Sequence, residues 1–287
     1  MSTGDNIVLC PNLLRDTDMH LTLAARKLLE DAGYRAVISP MFPPEDVDLG
    51  GIPTVPMEKA VENAALMVCF GGDGTILHTA RVAMRRRVPI LGINMGNKGF
   101  MAELEPEELD KLLDAAAGRY TPSIRMMLDV ELIRNGEVIY RDHALNDAVI
   151  SGVVHAIHLT AYGDGETITE FSGDGAIVCT PTGSTAYSMS AGGPLVEPTA
   201  ENLILTPICA HVLAARSFVL APEREVRVMV DELADKTVVL SVDGGKSYML
   251  KDGDVLRVVK SDYVTLLAHV GNRSFYDIAY KKLGDRR

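Results

Sequence analysis

Ala64-Ala65-Leu66-Met67-Val68-Cys69-Phe70-Gly71-Gly72-Asp73-Gly74-Thr75 runs from an unbroken apolar stretch straight into a glycine-rich turn. An apolar run of this length suits a parallel strand buried on both faces. The amphipathic stretch from Ile76 to Met84 follows it, and Val88 to Ile93 is a second apolar run. Strand, helix, strand is the pattern of an open α/β sheet. Upstream, Asn6 to Cys10 and Arg35 to Ser39 read as strands. Between them Leu21, Ala24, Ala25, Leu28 and Leu29 recur at helical spacing until Gly33 supplies a stop. Pro40 to Pro56 holds five of the 14 prolines, so it is neither regular helix nor central strand but a loop over one edge. Glu105-Pro106-Glu107-Glu108 starts another helix, with acids at its positive end, and Gly118 ends it.

Beyond Tyr120 the texture changes to β-type segments with little helix between them. Asn135-Gly136 is a hairpin turn joining Val130–Ile133 to Glu137–Tyr140. Further strands are read at His155–Tyr162, Ala176–Cys179, Glu225–Val230, Lys236–Val242, Asp254–Val259 and Tyr263–Val270. The chain therefore divides into an α/β N-terminal domain over 1–120, with an open, mostly parallel sheet, and an all-β C-terminal domain of two packed sheets over 121–270. The tail from about 271 to 287 is free to pack back on the first domain.

The composition bounds the function. With 287 residues, 47% of them hydrophobic, there is material for two cores. A formal net charge of −11 argues against a broad surface for nucleic acid or anionic lipid. No apolar run approaches the roughly 18 residues of a membrane helix, and the first residues lack the pattern of a signal peptide, so a cytoplasmic protein is expected. Cys10, Cys69, Cys179 and Cys209 are widely spaced and read as buried, reduced thiols rather than a zinc site or a disulfide framework.

Four places carry candidate chemistry. Gly71 to Thr75 lies at the carboxyl end of a strand and opens a helix, where glycines let backbone N–H groups approach phosphate oxygens. Asp73 would repel phosphate, so its role is to polarise a hydroxyl or to act through a metal ion; the alternative is a tight turn in which Asp73 or Thr75 caps the helix. Asn146-Asp147 pairs an amide with a carboxylate, able to read a sugar or amide, or else to form an Asx-turn. Thr180-Pro181-Thr182-Gly183-Ser184-Thr185-Ala186-Tyr187-Ser188 is a hydroxyl-rich loop closed by Gly192-Gly193-Pro194. It suits a polyhydroxylated, phosphate-bearing ligand, with Tyr187 able to stack on an aromatic ring, or it is a hydrophilic connection. His155, His158, Asp174 and Asp243, each taken alone, read as structural residues.

In order along the chain, Gly-Gly-Asp-Gly-Thr, Gly-Phe-Met-Ala-Glu-Leu at 99–104, Asn146-Asp147, Thr-Pro-Thr-Gly-Ser-Thr-Ala-Tyr at 180–187, Ser-Ala-Gly-Gly-Pro at 190–194 and Leu-Thr-Pro-Ile-Cys at 205–209 resemble the NAD kinase series. The glycine-aspartate loop alone is shared with diacylglycerol-kinase-like and phosphofructokinase-like enzymes; the Thr-Pro-Thr-Gly-Ser-Thr-Ala-Tyr run is more selective. The resemblance implies an NAD kinase/diacylglycerol kinase-like fold. It also implies phosphorylation of the adenosine 2′-hydroxyl of NAD by ATP or polyphosphate, with Mg²⁺ or another divalent metal arriving with ATP. Asp73 would be the base. Gly74 and Phe100 would lie against the dinucleotide, and Asn146 and Asp147 would hold the ribose. Asp174 would contact the nicotinamide side from a neighbouring subunit, in a homodimer or homotetramer. Thr182, Thr185, Ala186, Tyr187 and Ser190 would line the adenine and ribose pocket, with His155 and Gly245 as further contacts. Gly72 and Thr75 of the first loop and Ser188 of the second complete the candidate set. Ser172 stands where many members have arginine, and Ala279-Tyr280 where leucine-arginine is common. A lipid or sugar kinase of the same superfold, or a catalytically silent NAD(P)-binding sensor, are the alternatives.

Overall fold

The apolar run at Ala64 forms a central parallel strand in the computed structural model, which describes residues 6–41, 49, 51–96, 99–210, 216–271 and 273–284. The chain separates into two compact units, Met1–Ile124 with Thr265–Arg287, and Arg125–Val264. The first carries, in chain order, β1 (Asn6–Pro11), α1 (His20–Asp31), β2 (Arg35–Ile38), α2 (Met57–Ala60), β3 (Ala64–Gly71), α3 (Asp73–Ala83), β4 (Ile90–Asn94) and α4 (Leu112–Ala116). Its strands lie in the order β2-β1-β3-β4, all parallel.

Both faces of β3 are covered, which is why its sequence shows no alternation. Leu66, Val68 and Phe70 join a core with Leu21, Ala25 and Leu29 of α1 and Leu112, Ala115 and Ala116 of α4. Cys69, on the opposite face, hydrogen-bonds Thr79 of α3 at 3.1 Å. The helix read from Glu105 is a 3₁₀ turn, Pro106–Lys111, running into α4. Glu105 and Glu108 form a reciprocal capping box, and Glu108 itself sits at φ −100°, ψ 20°, outside helical geometry. Gly118, at φ 75°, ends the element. Of the proline-rich stretch, residues 42–48 and 50, including Pro43 and Pro44, lie outside the described residues.

The second unit begins at Arg125 within β5 (Thr121–Arg134) and follows with β6 (Glu137–Ala144), β7 (Asp147–Gly152), β8 (Ile157–Gly163), β9 (Glu166–Gly173), β10 (Gly175–Cys179), α5 (Tyr187–Ser190), β11 (Leu203–Ile208), β12 (Phe218–Leu220), β13 (Val226–Asp231), β14 (Val238–Val242), β15 (Tyr248–Met249) and β16 (Val255–His269). From Thr265 onward β16 belongs to the first unit, where Leu267 pairs in parallel with Ile90, and α6 (Phe275–Gly284) comes after it. In the second unit one sheet runs β16-β13-β8-β9 with the β5-β6 hairpin attached, and the other runs β12-β11-β10-β7-β14-β15. Alternate residues of both meet in one core: Leu159 and Ala161, Val226 and Val228, Leu256 and Val258 from the first, Ala148 and Ile150, Ala176 and Val178, Leu203 and Leu205 from the second. The other face of β7, β10 and β11 is covered at Ala191 and Val196, so these strands too are buried on both sides.

Three sequence expectations change. Asp254–Val259 and Tyr263–Val270 are one strand, β16. No glycine or proline interrupts them, and Ser261 accepts the Tyr263 N–H within the strand, at 3.1 Å, instead of starting a turn. The strands β9, β11 and β12 have no counterpart in the sequence reading. Pro207 fits in β11 because β12 pairs only with Leu203–Leu205, so no neighbour on that side asks Pro207 for an N–H. Cys209 is exposed at φ 45°, where the chain leaves β11, whereas Cys10, Cys69 and Cys179 are buried. Burial pushes the Cys69 and Cys179 thiols up to about 12. Among the described residues no helix is long and apolar enough to cross a membrane.

Candidate active site

In the first unit β1 and β3 are neighbours whose connections leave in opposite directions, to β2 and to β4. The carboxyl ends of two such strands are where open α/β sheets bind ligands, and Asp73 opens α3 there. Neither capping alternative is realised: Gly72 is the N-cap of α3 and no side chain caps it. The Asp73 carboxylate reaches across the chain instead, Oδ2 accepting the Phe100 N–H at 2.8 Å and Oδ1 the Met101 N–H at 3.1 Å. Thr75 is buried, its hydroxyl accepting from Asn12 Nδ2 at 3.4 Å. A side chain added at Gly72 or Gly74 would meet nothing within 4 Å, so the uncapped helix end is open to a ligand. A β-carbon at Gly99 would strike the Asp73 carboxylate, and so only glycine lets 99–101 close over it. Phe100 is itself buried beside this carboxylate, against Phe275 of α6.

In the second unit Asn146 precedes β7 and Asp147 opens it, both held by Asp243 from the turn after β14. Asp243 sits at φ 50° and its carboxylate accepts the N–H groups of Leu145, Asn146 and Asp147 at 2.8, 2.8 and 3.0 Å. Thr180 adds two more ties, its hydroxyl donating to Leu145 O at 2.6 Å and its N–H to Asn146 O at 2.9 Å. Gly183 lies so close to the Asn146 backbone that a β-carbon would overlap it. The main chain is thus fixed while the side chains stay uncommitted. Asn146 Oδ1 is buried with no hydrogen-bond partner among the described residues, which leaves the Asx-turn reading without its bond. Asp147, 5% exposed, is pushed up to about 7, first by burial and then by the Asp243 charge. A carboxyl poised there can donate a hydrogen bond as well as accept one.

The hydroxyl-rich loop folds inward more than its composition suggests. Ser184 donates to Pro181 O at 2.7 Å and takes the Val196 N–H at 3.0 Å. Thr185 donates to Thr182 O at 3.0 Å, and Ser188 meets Thr206 at 3.0 Å. These bonds fix the loop's shape. Thr182 is buried beside Arg125, with 3.5 Å between its hydroxyl and Nη1, while Tyr187 and Ser190 are exposed and Ala186 is half-buried. Because β7 and β10 pair antiparallel, with Asp147 opposite Cys179 and Ser151 opposite Gly175, this loop and Asn146-Asp147 share one end of the two strands. Asp174 and His155 stand at the other end. Asp174 is exposed, with its O accepting the Gly152 N–H at 2.8 Å. His155 lies in an exposed bend, not on the strand expected from sequence, because β7 ends at Gly152 and β8 begins only at Ile157. His158 bridges Ser172 and Glu170 at 3.3 and 3.0 Å, a structural histidine. Gly245 is exposed in the turn that carries Asp243, its N–H bonded to Val242 O at 2.9 Å.

Comparison with known proteins accounts for nearly the whole chain. Residues 53–119 match the ATP-NAD kinase N-terminal domain family and residues 145–270 the ATP-NAD kinase C-terminal domain family. The chain is 35% identical over 282 residues to the NAD kinase of Ruminiclostridium cellulolyticum, covering 96% of each. It is 38% identical over 232 residues to that of Acetivibrio thermocellus, covering 80% of each. Among solved structures, yeast NADH kinase complexed with NADH superposes with a TM-score of 0.83 at 26% identity, over 98% of this chain and 88% of that one. An NAD kinase from Archaeoglobus fulgidus in complex with ATP gives 0.74 at 25%, over 97% and 98%. Two family domains in the expected order, and relatives similar from end to end, agree with an uncapped helix that presents Asp73: this chain belongs to the NAD kinase family.

Proposed function

We propose that the chain transfers the γ-phosphoryl group of Mg·ATP to the adenosine 2′-hydroxyl of NAD, giving NADP and ADP, with Asp73 as general base. The observation that carries this is the placement of Asp73. Its carboxylate does not cap α3 but is held by the amides of Phe100 and Met101 at the helix end. The 2′-hydroxyl gives its proton to Asp73 as its oxygen attacks the γ-phosphorus, and the bond to the β-phosphate oxygen breaks. The first-turn N–H groups of α3 and the open glycines Gly72 and Gly74 suit the donor phosphates. Magnesium or another divalent ion enters as part of the nucleotide substrate, bridging its phosphates and offsetting charge during transfer.

Asn146 and Asp147 hold the ribose hydroxyls, the orphaned Asn146 Oδ1 accepting and the Asp147 carboxyl able to donate. Thr182, Thr185, Ala186, Tyr187, Ser188 and Ser190 shape the adenosine side, with Tyr187 available for stacking. Asp174 serves the nicotinamide end, with His155 and Gly245 as further contacts. Asp174 and His155 stand at the far end of β7 from Asn146, about 17 Å away at strand spacing. That separation favours their serving the site of a second copy, in a homodimer or homotetramer. The exposed Val153 and Val154 beside them suit such an interface. The buried thiols suit the cytoplasm.

The test is product formation by the purified protein with Mg·ATP, with NAD, NADH, a diacylglycerol and fructose 6-phosphate as parallel acceptors. NADP from NAD is the expected result. Transfer only to the lipid or the sugar phosphate, or NAD binding without any product, overturns the reading in favour of a related kinase or a silent sensor.

A further inference from the structure

The loop around Asp73 presents backbone amides and a carboxylate to a reaction that brings a triphosphate beside that carboxylate. The cation facing it comes from the C-terminal helix. Lys282 of α6 stands with Nζ 4.1 Å from the centroid of the Phe100 ring, whose own N–H holds Asp73. Its stem is half-buried, and among the described residues its ammonium makes no ion pair. Burial pushes its pKa down, and the Asp73 carboxylate acts to raise it.

The helix that carries Lys282 is tied to the segment that holds Asp73. Glu103 accepts His269 Nδ1 at 2.7 Å and the N–H groups of Val270 and Gly271 at 3.2 and 2.7 Å. Arg273 pairs with Glu105 and Glu108 at 3.3 and 2.7 Å. Residues 99–108 thus position both Asp73 and the start of α6. A cavity of about 170 Å³ separates the helix from this segment, lined among others by Gly99, Asn94, Glu105, Asp277 and Lys282. The two acids there are committed: Glu105 to Arg273 and to Asn94 Nδ2, Asp277 to the Ser274 hydroxyl at 2.8 Å. An ammonium on an aromatic face beside a carboxylate, with no ion pair among the described residues, has charge left to offer a ligand anion.

We propose that Lys282 is a further catalytic residue: it contacts the oxygens of the transferred phosphoryl group and offsets their charge beside Asp73. This rests on the NAD kinase reading above. The experiment compares the parent with K282M, which keeps the length of the side chain, and K282R, which keeps the charge, by turnover with saturating NAD and Mg·ATP, by NAD affinity from calorimetry and by melting temperature. K282M is expected to lose about 10- to 100-fold in kcat, the scale of one transition-state charge contact, with NAD affinity within about twofold of the parent. K282R is expected to recover most of the loss, and added ethylammonium to restore part of the activity of K282A. Parent-like turnover by K282M, a loss that follows NAD affinity or melting temperature, or failure of both arginine and the amine to rescue, overturns the assignment. A parent that makes no NADP fails the kinase reading itself, a separate outcome.

Discussion

Asp147 illustrates how one side chain acquires properties that its sequence neighbours do not explain. Its carboxyl is held near 7 by burial and by Asp243, which stands 96 positions later in the chain and is held over residues 145–147 by the three backbone N–H groups it accepts. The folded-state pKa lies above the ordinary value of 3.8, so the folded protein binds the proton more tightly than the unfolded chain. The stabilisation is fully present below about pH 4 and is lost as pH rises through about 7, up to about 4 kcal/mol for a shift of this size. Urea midpoints at pH 5 and pH 8 test this. The parent midpoint falls between the two, and D147N, which cannot ionise, flattens that fall; an equal fall in both proteins excludes Asp147 as its source. The glycine turn at Asp73 was legible in sequence as the end of a buried strand and the start of a helix. The requirement for glycine at 99 was not, because it comes from contact with a residue 26 positions earlier.

Elements whose local signals agree with their surroundings were legible, and those decided by neighbours were not. The Asn135-Gly136 turn, with φ 51° and 82°, needs two residues that tolerate positive φ, and the sequence supplies them. The β11 strand contains a proline that lies beyond the reach of short β12, and β16 hides a change of unit inside one uninterrupted strand. Between these cases lies the turn before β16, where Asp254 is fully buried. It pairs with Arg134 of β5 through Nε at 2.8 Å and Nη2 at 2.6 Å, and also accepts the Lys251 N–H at 2.8 Å. Removing one partner strands the other, a cost of about 3–5 kcal/mol for buried pairs. The guanidinium of Arg134 keeps some access to solvent, so the lower end is expected for D254A. Thermal melts check it: a clear drop in melting temperature is expected for D254A, and a parent-like melt shows that the pair holds nothing.

At the scale of the whole chain, each unit carries a candidate group of its own. The first holds an acid at an uncapped helix end, and the second has a fixed backbone with unspent polar side chains at 146 and 147. The division into an α/β part and an all-β part was readable because the hydrophobic period changes after Tyr120, from runs and helical spacing to alternation. The inward turn of the hydroxyl-rich loop was not readable, since composition says which residues can bond and not which partners they find. The central claim is that Asp73 acts as base toward a hydroxyl of bound NAD. It is tested most directly by NADP formation in the parent and in D73N, at matched NAD occupancy fixed by calorimetry. The expected result is a loss of about 10²- to 10⁴-fold in turnover with NAD binding nearly unchanged; a D73N protein that makes NADP at the parent's rate contradicts it.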